Sequence, residues 1–193
     1  MTVAILRYNA GNILSVENAL KRLGVPAVVT EDPVQLELAD HVVIPGVGEA
    51  STAMNYLRDR SLDQVIKTLR QPILGICLGL QIFCTYSEEN NTECLGIFPE
   101  RVKKMCGNLK IPHMGWNTLD LMQGPLFKNL NSDPYVYFVH SFYAEVGSHT
   151  VAQSEYGGKF SACLQKDNFF AVQFHPEKSC LVGQKILENF LAL

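Results

Sequence analysis

The sequence lacks any apolar run that approaches the roughly 20 residues needed to span a lipid bilayer. Residues 1–7 have neither the basic start nor the apolar length of a secretory signal. There is also no excess of positive charge, since 16 Lys and Arg stand against 19 Asp and Glu, for a net charge of −3. These absences predict a cytoplasmic protein that binds neither membranes nor nucleic acid.

Cysteine is present, but its spacing does not suit crosslinking or metal binding. A chain of 193 residues is large enough to fold around an apolar core without disulfides. We therefore expect no metal and no other cofactor, and we expect most of the thiols to be buried and inert. The six cysteines form no C-x-x-C pair and no cluster of zinc ligands: Cys77, Cys84, Cys94, Cys106, Cys163 and Cys180.

No linker, internal repeat or low-complexity stretch divides the chain. Hydrophobic residues make up 47% of the sequence and charged residues 18%, which is typical of a globular protein. The length is close to the roughly 150 residues of an average domain. We predict a single domain that spans residues 1–193.

Strand-like and helix-like segments alternate in the first half of the chain. This order predicts an α/β fold with a mostly parallel central sheet flanked by helices, in which ligands bind at the carboxyl ends of the strands. Residues 31–33 are interpreted as a loop. The predicted strands are residues 3–6, 25–30, 42–44 and 72–76, and the predicted helices are residues 15–23, 50–58, 62–70 and 78–86.

The pattern changes after about residue 95, where short apolar segments follow one another with turn residues between them. These segments predict additional antiparallel strands in the C-terminal half, and an amphipathic helix at residues 182–192 closes the chain. The predicted strands are residues 101–105, 135–139, 150–155, 160–165 and 169–174.

One cysteine lies in a setting that the other five lack. Gly75-Ile76-Cys77-Leu78-Gly79 occupies the junction of the fourth predicted strand and the next helix. The glycine spacing is that of a nucleophile elbow, where the nucleophile sits on a sharp strand-to-helix turn and the glycines leave room for neighbouring backbone. The N-terminus of the following helix would favour the thiolate. A buried structural cysteine is the alternative that this pentapeptide leaves open.

A nucleophilic cysteine needs a base and a group that orients the base. Among the five histidines, His175 is the best placed, because it ends the last predicted strand and Pro176 and Glu177 follow it. Residues two apart in an extended segment project to the same side, so Glu177 can reach the imidazole. We predict a Cys77-His175-Glu177 triad. Without Cys77, a strand-end histidine beside a solvated glutamate would be the simpler interpretation.

An attack by cysteine on a carbonyl group also needs N–H donors for the oxyanion. The backbone N–H of Leu78, directly after the nucleophile, is one candidate. A second can come from Gly46, Val47 or Gly48 in the P-G-V-G segment, where glycine allows a peptide plane to turn. Taken alone, this segment is also compatible with an ordinary strand-to-helix turn.

Three motifs occur in order: P-G-V-G after one strand, G-I-C-L-G-L-Q after the next, and Q-F-H-P-E-K-S near the end. Together they resemble the class I (triad) glutamine amidotransferases, whose sheet is flavodoxin-like. The resemblance implies that Cys77 attacks the side-chain amide of L-glutamine, that a γ-glutamyl thioester forms, and that the ammonia passes to a synthase. His175 would act as acid and base, with Glu177 orienting it. The implied substrate-binding residues are Gln81, Glu89, His140, Ser141 and Phe142.

A narrower resemblance extends over the whole chain. The stretch K-I-P-H-M-G-W-N at residues 110–117 is similar to a signature of the glutaminase subunit of imidazole glycerol phosphate synthase, an enzyme of histidine biosynthesis. This resemblance implies a heterodimer with a (βα)8-barrel cyclase that makes imidazole glycerol phosphate and an aminoimidazole carboxamide ribotide. The implied partner-facing residues are Asn12, Lys110, His113, Met114, Trp116, Asn117 and Lys178.

Composition agrees with a partner surface at residues 110–117, which we interpret as a loop. Trp116 is the only tryptophan, and an exposed Trp beside a Met is typical of an interface anchor, although a loop folded back over the core would also use them. The first loop, Arg7-Tyr8-Asn9-Ala10, departs from the family pattern, in which an acidic residue before the Tyr and a Gly after it are common. The details of the partner contact therefore stay open.

Other functions are compatible with parts of this pattern. A related subunit could supply ammonia for amidino-sugar synthesis. A γ-glutamyl hydrolase or a cysteine peptidase of related fold would work alone on a larger substrate, and a non-catalytic module could have kept the fold. If the chain is the glutaminase subunit, we expect it to hydrolyse glutamine poorly on its own, because a glycine-rich oxyanion loop can rest in a non-productive conformation.

Overall fold

The computed structural model describes every residue from Met1 to Leu193. No helix in it combines the length and the apolar character that crossing a membrane requires. The strands are β1 (Val3–Leu6), β2 (Ala27–Thr30), β3 (His41–Ile44), β4 (Ile73–Ile76), β5 (Tyr86–Ser87), β6 (Thr92–Glu93), β7 (Arg101–Lys104), β8 (His113–Thr118), β9 (Tyr135–His140), β10 (Phe142–Ala144), β11 (Thr150–Glu155), β12 (Lys159–Lys166) and β13 (Phe169–Val172). The α-helices are α1 (Ile13–Arg22), α2 (Pro33–Leu38), α3 (Ala50–Asp59), α4 (Leu62–Thr68), α5 (Leu78–Phe83) and α6 (Cys180–Leu191).

A seven-stranded sheet forms the centre of the fold, in the order β11-β12-β13-β4-β3-β1-β2. The five strands from β13 to β2 are parallel, whereas β12 pairs with its two neighbours in antiparallel fashion. Two smaller sheets, β10-β7-β5-β6 and β8-β9, lie outside it. The predicted α/β class, with a mostly parallel sheet and extra antiparallel strands in the second half, is confirmed.

Apolar side chains cover both faces of the central sheet. Along β1, Val3 and Ile5 enter one apolar cluster while Ala4 and Leu6 enter the other, because successive side chains of a strand point to opposite faces. Helices α1 and α6 contribute buried side chains to the first cluster, and α2, α3, α4 and α5 contribute to the second. Each fully buried Leu, Ile or Phe adds about 1.5–3 kcal/mol, so both helix layers stabilise the sheet.

The interpretation of residues 31–33 as a loop missed helix α2. The side chain of Asp32 accepts a hydrogen bond from the N–H of Val34 at 3.0 Å, and Pro33 occupies the first helical position. An Asp cap followed by Pro at the first position is a helix start signal, because Pro needs no N–H partner there. The start signal is therefore visible in the sequence, although the helix that follows it is only six residues long.

Two other predictions in the middle of the chain were wrong. The presumed loop at residues 110–117 contains most of β8, which pairs antiparallel with β9, so that Trp116 lies opposite Tyr137. Glycine and asparagine, which are poor strand formers, interrupt the apolar pattern there. The helix predicted at residues 78–86 ends at Phe83, because Tyr86 already belongs to β5.

The carboxyl edge of the parallel strands collects the residues that sequence analysis singled out. Gly46 follows β3, Cys77 follows β4 and His175 lies shortly after β13. Strands β4 and β13 are neighbours in parallel register, with Ile76 opposite Val172. In parallel α/β sheets this edge is where ligands bind.

The two glycines around Cys77 let helix α5 lie close to the sheet. A Cβ atom on Gly75 would come within 2.8 Å of the carbonyl carbon of Gly79. A Cβ on Gly79 would clash with the carbonyl oxygen of Ile44 in β3. Both contacts involve backbone atoms, which cannot move aside as a flexible side chain can. Helix α5 can therefore follow strand β4 this closely only when glycine occupies positions 75 and 79.

We expect Gly79→Ala to lower the free energy of unfolding by about 1–3 kcal/mol, as overpacking in a rigid core does. The control is Gly158→Ala, because a Cβ there meets no atom within 4 Å. Urea unfolding of both variants and the wild type measures the effect, and the control should change by no more than about 0.5 kcal/mol. Equal losses in the two variants would contradict the packing argument.

Candidate active site

Cys77 occupies a strained turn between β4 and α5. Its backbone has φ 55° and ψ −102°, a conformation that costs a non-glycine residue on the order of 1–3 kcal/mol. Pairing with the neighbouring strand maintains it, since the N–H of Cys77 donates to the carbonyl of Val172 at 2.7 Å. The residue is 5% exposed and borders a cavity. The structure therefore contains the sharp elbow that the glycine spacing predicts.

His175 and Glu177 form a buried pair beside this cysteine. The Nδ1 atom of His175 lies 2.7 Å from Oε1 of Glu177, and both side chains are fully inaccessible to solvent. The other ring nitrogen, Nε2, is buried and has no hydrogen-bond partner. A carboxylate on one nitrogen and a free second nitrogen is the arrangement in which a histidine can exchange a proton with a nucleophile.

The pKa of His175 is raised to about 10 by its surroundings. Burial by itself would lower the pKa, but the neighbouring Cys77 and Glu177 favour the charged ring and outweigh it. The imidazole is therefore protonated near neutral pH, so that it can deliver a proton.

Asn12 also contacts the His175–Glu177 pair, which sequence analysis did not foresee. Its Nδ2 donates to Oε1 of Glu177 at 2.5 Å and lies 3.4 Å from Nδ1 of His175. Asn12 precedes α1 with φ 77°, a left-handed conformation that Asn tolerates better than most residues. The amide of Asn12 thus points to the triad, and its contact with a partner stays a prediction.

A serine ties the histidine segment to strand β9. The hydroxyl of Ser179 donates to the carbonyl of His175 at 2.7 Å and accepts the N–H of Tyr137 at 2.9 Å. The N–H of His175 in turn donates to the carbonyl of Tyr137 at 2.9 Å. Ser179 is fully buried, so these three bonds are shielded from water.

Of the predicted oxyanion donors, the N–H of Leu78 is already engaged within the protein. The N–H of Leu78 donates to the carbonyl of Gly46 at 3.2 Å, and the carbonyl of Val47 accepts the N–H of Gly11 at 3.1 Å. A carbonyl oxygen thus takes the Leu78 donor that an oxyanion would use. Rotation of the Gly46–Val47 peptide would release the N–H of Leu78 and turn the N–H of Val47 toward the place of the oxyanion. Gly48, with φ 136°, is a flexible neighbour of this peptide.

Gly46 has no room for a side chain. A Cβ atom there would collide with the hydroxyl of Tyr8 and would come within 3.0 Å of Cβ of Leu78 and 3.3 Å of Cβ of Ala10. The Tyr8 hydroxyl is buried without a hydrogen-bond partner, and burial together with Cys77 raises its pKa. Tyr8 is a second residue that the sequence analysis did not assign to the site.

The cavity in front of Cys77 has a volume of about 320 Å³, within the range of small-molecule sites. Gln81, at its wall, is held by a hydrogen bond from its Nε2 to the carbonyl of Phe142 at 2.9 Å. Glu89 is half-buried, accepts the N–H of Ala50 at 2.7 Å, and has a raised pKa because of burial. The cavity is bordered by Val47, Gly48, Cys77, Leu78, Gln81, Glu89, Pro112, Val139, His140, Ser141 and Phe142.

The ring of His140 belongs to a buried hydrogen-bond chain. Its Nδ1 lies 2.8 Å from the carbonyl of Phe142, so this nitrogen carries the proton, and its Nε2 accepts from Nδ1 of His113 at 3.0 Å. Burial lowers the pKa of His140 to about 3 and that of His113 to about 4, so both rings are neutral. Although His140 borders the cavity, both ring nitrogens are thus engaged within the protein.

His113 and Asn117 differ from the expectation of a partner-facing position. His113 is 3% exposed and stacks on Tyr156, with 4.1 Å between the ring centroids. The amide of Asn117 is half-buried and donates to the carbonyl of Glu155 at 2.9 Å. The strand geometry of β8 accounts for these positions, because alternate residues of a strand turn inward, and a contact of either residue with a partner stays a prediction.

Met114 and Trp116, on the other face of β8, do point outward, with 62% and 49% of their surfaces exposed. Trp116 makes an edge contact with Tyr137 of β9, at 5.9 Å between ring centroids. We call Met114, Trp116, Tyr135 and Tyr137 the β8–β9 surface. Lys110 and Lys178 are also exposed.

Comparisons with known proteins agree with this geometry. The family model described as glutamine amidotransferase class-I matches residues 6–193. The chain is 55% identical to the imidazole glycerol phosphate synthase subunit HisH of Bacteroides fragilis, covering 100% of both chains. It is 44% identical to the subunit of the same name of Vibrio cholerae, covering 99% of this chain and 98% of the relative.

Solved structures show the same fold at lower sequence identity. A protein from Thermoplasma acidophilum that is described as part of a GMP synthase superposes with a TM-score of 0.77 at 23% identity, over 100% of this chain and 93% of the other. The PurLQS structure from Thermotoga maritima gives a TM-score of 0.71 at 16% identity, over 99% of this chain and 97% of the other.

Replacing Glu177 by Gln should lower the pKa of His175 below its value of about 10, because the variant removes a negative charge and a hydrogen bond that favour the protonated ring. NMR titration of the imidazole nitrogens measures the pKa. A raised pKa stabilises the fold below pH 6.5, and this contribution is lost as the pH rises through about 10. Between pH 6.5 and about 10, the free energy of unfolding should therefore fall less in Glu177→Gln than in the wild type.

The exposed Glu93, replaced by Gln, is the control for the loss of a carboxylate elsewhere. An unchanged His175 titration in Glu177→Gln would show that the carboxylate does not hold the proton on the ring.

Proposed function

The chain belongs to the class-I glutamine amidotransferases and, within them, to the HisH subunits of imidazole glycerol phosphate synthase, and on this premise we propose that it is the glutaminase subunit of that enzyme in histidine biosynthesis. It hydrolyses L-glutamine to glutamate and ammonia, and a cyclase subunit consumes the ammonia. The observation that carries the proposal is Cys77 on its strained turn, beside the buried His175–Glu177 pair and open to the cavity. A cytoplasmic location and a single catalytic domain go with this proposal.

The reaction uses the thiolate of Cys77 as nucleophile. Its sulfur attacks the side-chain amide carbon of glutamine, and the charge moves to the amide oxygen. His175, protonated near neutral pH, gives its proton to the departing nitrogen as the carbon–nitrogen bond breaks, so that ammonia and a γ-glutamyl thioester form. A water molecule then gives a proton to His175 and attacks the thioester. Glutamate leaves, and the thiolate is regenerated.

The substrate-binding residues proposed from the family resemblance surround the same cavity. Glu89 brings a carboxylate that can pair with the amino group of glutamine, and Gln81 brings an amide held in place by Phe142. Ser141 and Phe142 border the cavity from the segment after β9. These groups suit an amino acid that carries a positive charge and hydrogen-bonding atoms.

The oxyanion hole is completed only when the Gly46–Val47 peptide rotates, since the carbonyl of Gly46 otherwise takes the N–H of Leu78. Such a rotation exchanges one hydrogen bond for two N–H donors aimed at the same point. The β8–β9 surface is the proposed contact with the cyclase, for which we propose a (βα)8 barrel. Val139 borders the cavity and pairs with Met114 on that surface, so a partner bound there lies next to the site where ammonia is released.

We expect Cys77→Ser to reduce glutamate release from glutamine by about a thousandfold or more when mixed with the cyclase subunit, because a hydroxyl lacks the nucleophilicity of a thiolate. The exposed Cys106 is the matched control, since Cys106→Ser makes the same replacement at a residue that does not border the cavity. Full activity in Cys77→Ser would overturn the triad. Glutamine-dependent formation of imidazole glycerol phosphate in the same mixture distinguishes histidine biosynthesis from amidino-sugar synthesis.

The isolated subunit should hydrolyse glutamine about 100- to 1,000-fold more slowly than the complex, the usual loss when an oxyanion donor is missing. The physical reason is the Leu78–Gly46 hydrogen bond, which the partner must replace. Glutamate release measured with and without the cyclase tests this. Equal rates would contradict the proposed peptide rotation and would favour a hydrolase that works alone.

A further inference from the structure

We propose that Gln173 is a further catalytic residue, whose side-chain N–H binds the sulfur of Cys77 and stabilises its charged form; this rests on the proposed function of Cys77 as nucleophile. The Nε2 atom of Gln173 lies 3.6 Å from Sγ, within hydrogen-bonding distance for sulfur. Gln173 is fully buried, so water does not compete for this contact. Its side chain is therefore dedicated to the interior of the site.

The hydrogen bonds around Gln173 determine which end of its amide faces the sulfur. The carbonyl of Phe142 accepts a bond at 2.9 Å, so the Gln81 atom that contacts it is the NH2 group. The same NH2 group lies 3.2 Å from the Gln173 amide, whose contacting atom must therefore be the oxygen. The remaining end of Gln173, its NH2 group, is turned to Cys77. A backbone carbonyl thus sets the orientation of both amides.

The sheet brings the two residues together. Val172 of β13 and Ile76 of β4 are register partners, so the next residues, Gln173 and Cys77, lie side by side at the carboxyl edge. The backbone N–H of Gln173 donates to the carbonyl of Ala162 at 2.9 Å, which holds the residue in line with its strand. The contact with the sulfur thus depends on the paired strands of the central sheet, not on a loop.

The neighbours of the sulfur suit two different protonation states. The carbonyl of Val139, at 3.8 Å, can accept only from a thiol, whereas the N–H of Gln173 favours a thiolate. With the proton on Nε2 of His175, the sulfur holds the electron pair and the negative charge, and the Gln173 N–H faces that charge. As the carbon–sulfur bond forms, the charge leaves the sulfur. Gln173 therefore affects how readily Cys77 forms the thiolate more than it affects substrate binding.

Substitution of Gln173 by Met removes the N–H donor while nearly preserving chain length. Substitution by Glu keeps an acceptor for Gln81 but turns a carboxylate oxygen to the sulfur. The exposed Gln64→Met is the control. Gln173→Glu adds a carboxyl group beside Cys77, whereas the two Met variants add no ionisable group. The ionisable groups already around Cys77 are kept in all three variants: Tyr8 from the segment after β1, Glu89 at the cavity wall, His140 from β9, and His175 with Glu177 after β13.

The measurement is the rate of Cys77 alkylation by iodoacetamide as a function of pH, followed by mass spectrometry of the peptide that contains Cys77. We expect the midpoint of the curve to rise by about one pH unit in Gln173→Met, so that alkylation below the midpoint slows about tenfold, and to rise further in Gln173→Glu. The rate at high pH should stay the same. Gln64→Met should match the wild type.

With the cyclase present, kcat for glutamine should fall in Gln173→Met while KM stays close to the wild-type value. Unchanged alkylation midpoints in both Gln173 variants would overturn the proposal, and if one variant fails to fold the other still decides. Alkylation requires neither glutamine nor the partner. A shifted midpoint without glutaminase activity in the wild type would therefore refute the proposed function alone.

Discussion

The parallel pairing of β4 with β13 is the constraint on which the rest of the site depends. The hydrogen bond from the N–H of Cys77 to the carbonyl of Val172 continues the sheet by one residue beyond β4 and holds the strained turn. The same register sets Gln173 beside the sulfur, and His175 follows two residues later, next to Cys77. One strand pair thus positions the nucleophile Cys77, the proton carrier His175 and the side-chain amide of Gln173. Gly75 and Gly79 let helix α5 leave the sheet directly after Cys77.

Burying the His175–Glu177 pair has an energetic cost that its surroundings must offset. A buried ion pair gains from attraction only when its remaining polar atoms are also satisfied. Asn12 supplies one such bond to Glu177, and Ser179 holds the backbone of His175. The second oxygen of Glu177 has no partner in the protein, so the compensation is partial. The site therefore gives up some stability to keep a protonated ring next to the thiol.

Much of this arrangement could be predicted from the sequence, because chemistry that depends on local spacing is visible in it. The elbow at Cys77 and the i, i+2 relation of His175 and Glu177 are of this kind. Side-chain direction in β8 and β9 was not visible, because His113 and His140 turn inward only through a pairing that the glycine and asparagine of β8 obscure. The orientation of the Gly46 carbonyl was not visible either, because glycine permits both peptide orientations.

The alternation along β8 has a consequence for how the protein can change in evolution. Met114 and Trp116 face outward, whereas His113 and Asn117 join the hydrogen-bond chain that ends at Phe142 in the cavity wall. The pleat of one strand thereby separates two selective pressures, one from the surface and one from the interior. Substitutions at the outward positions can accumulate without disturbing the chain. A single-residue insertion or deletion would exchange the two faces at once, so the length of this strand is less free to vary than its composition.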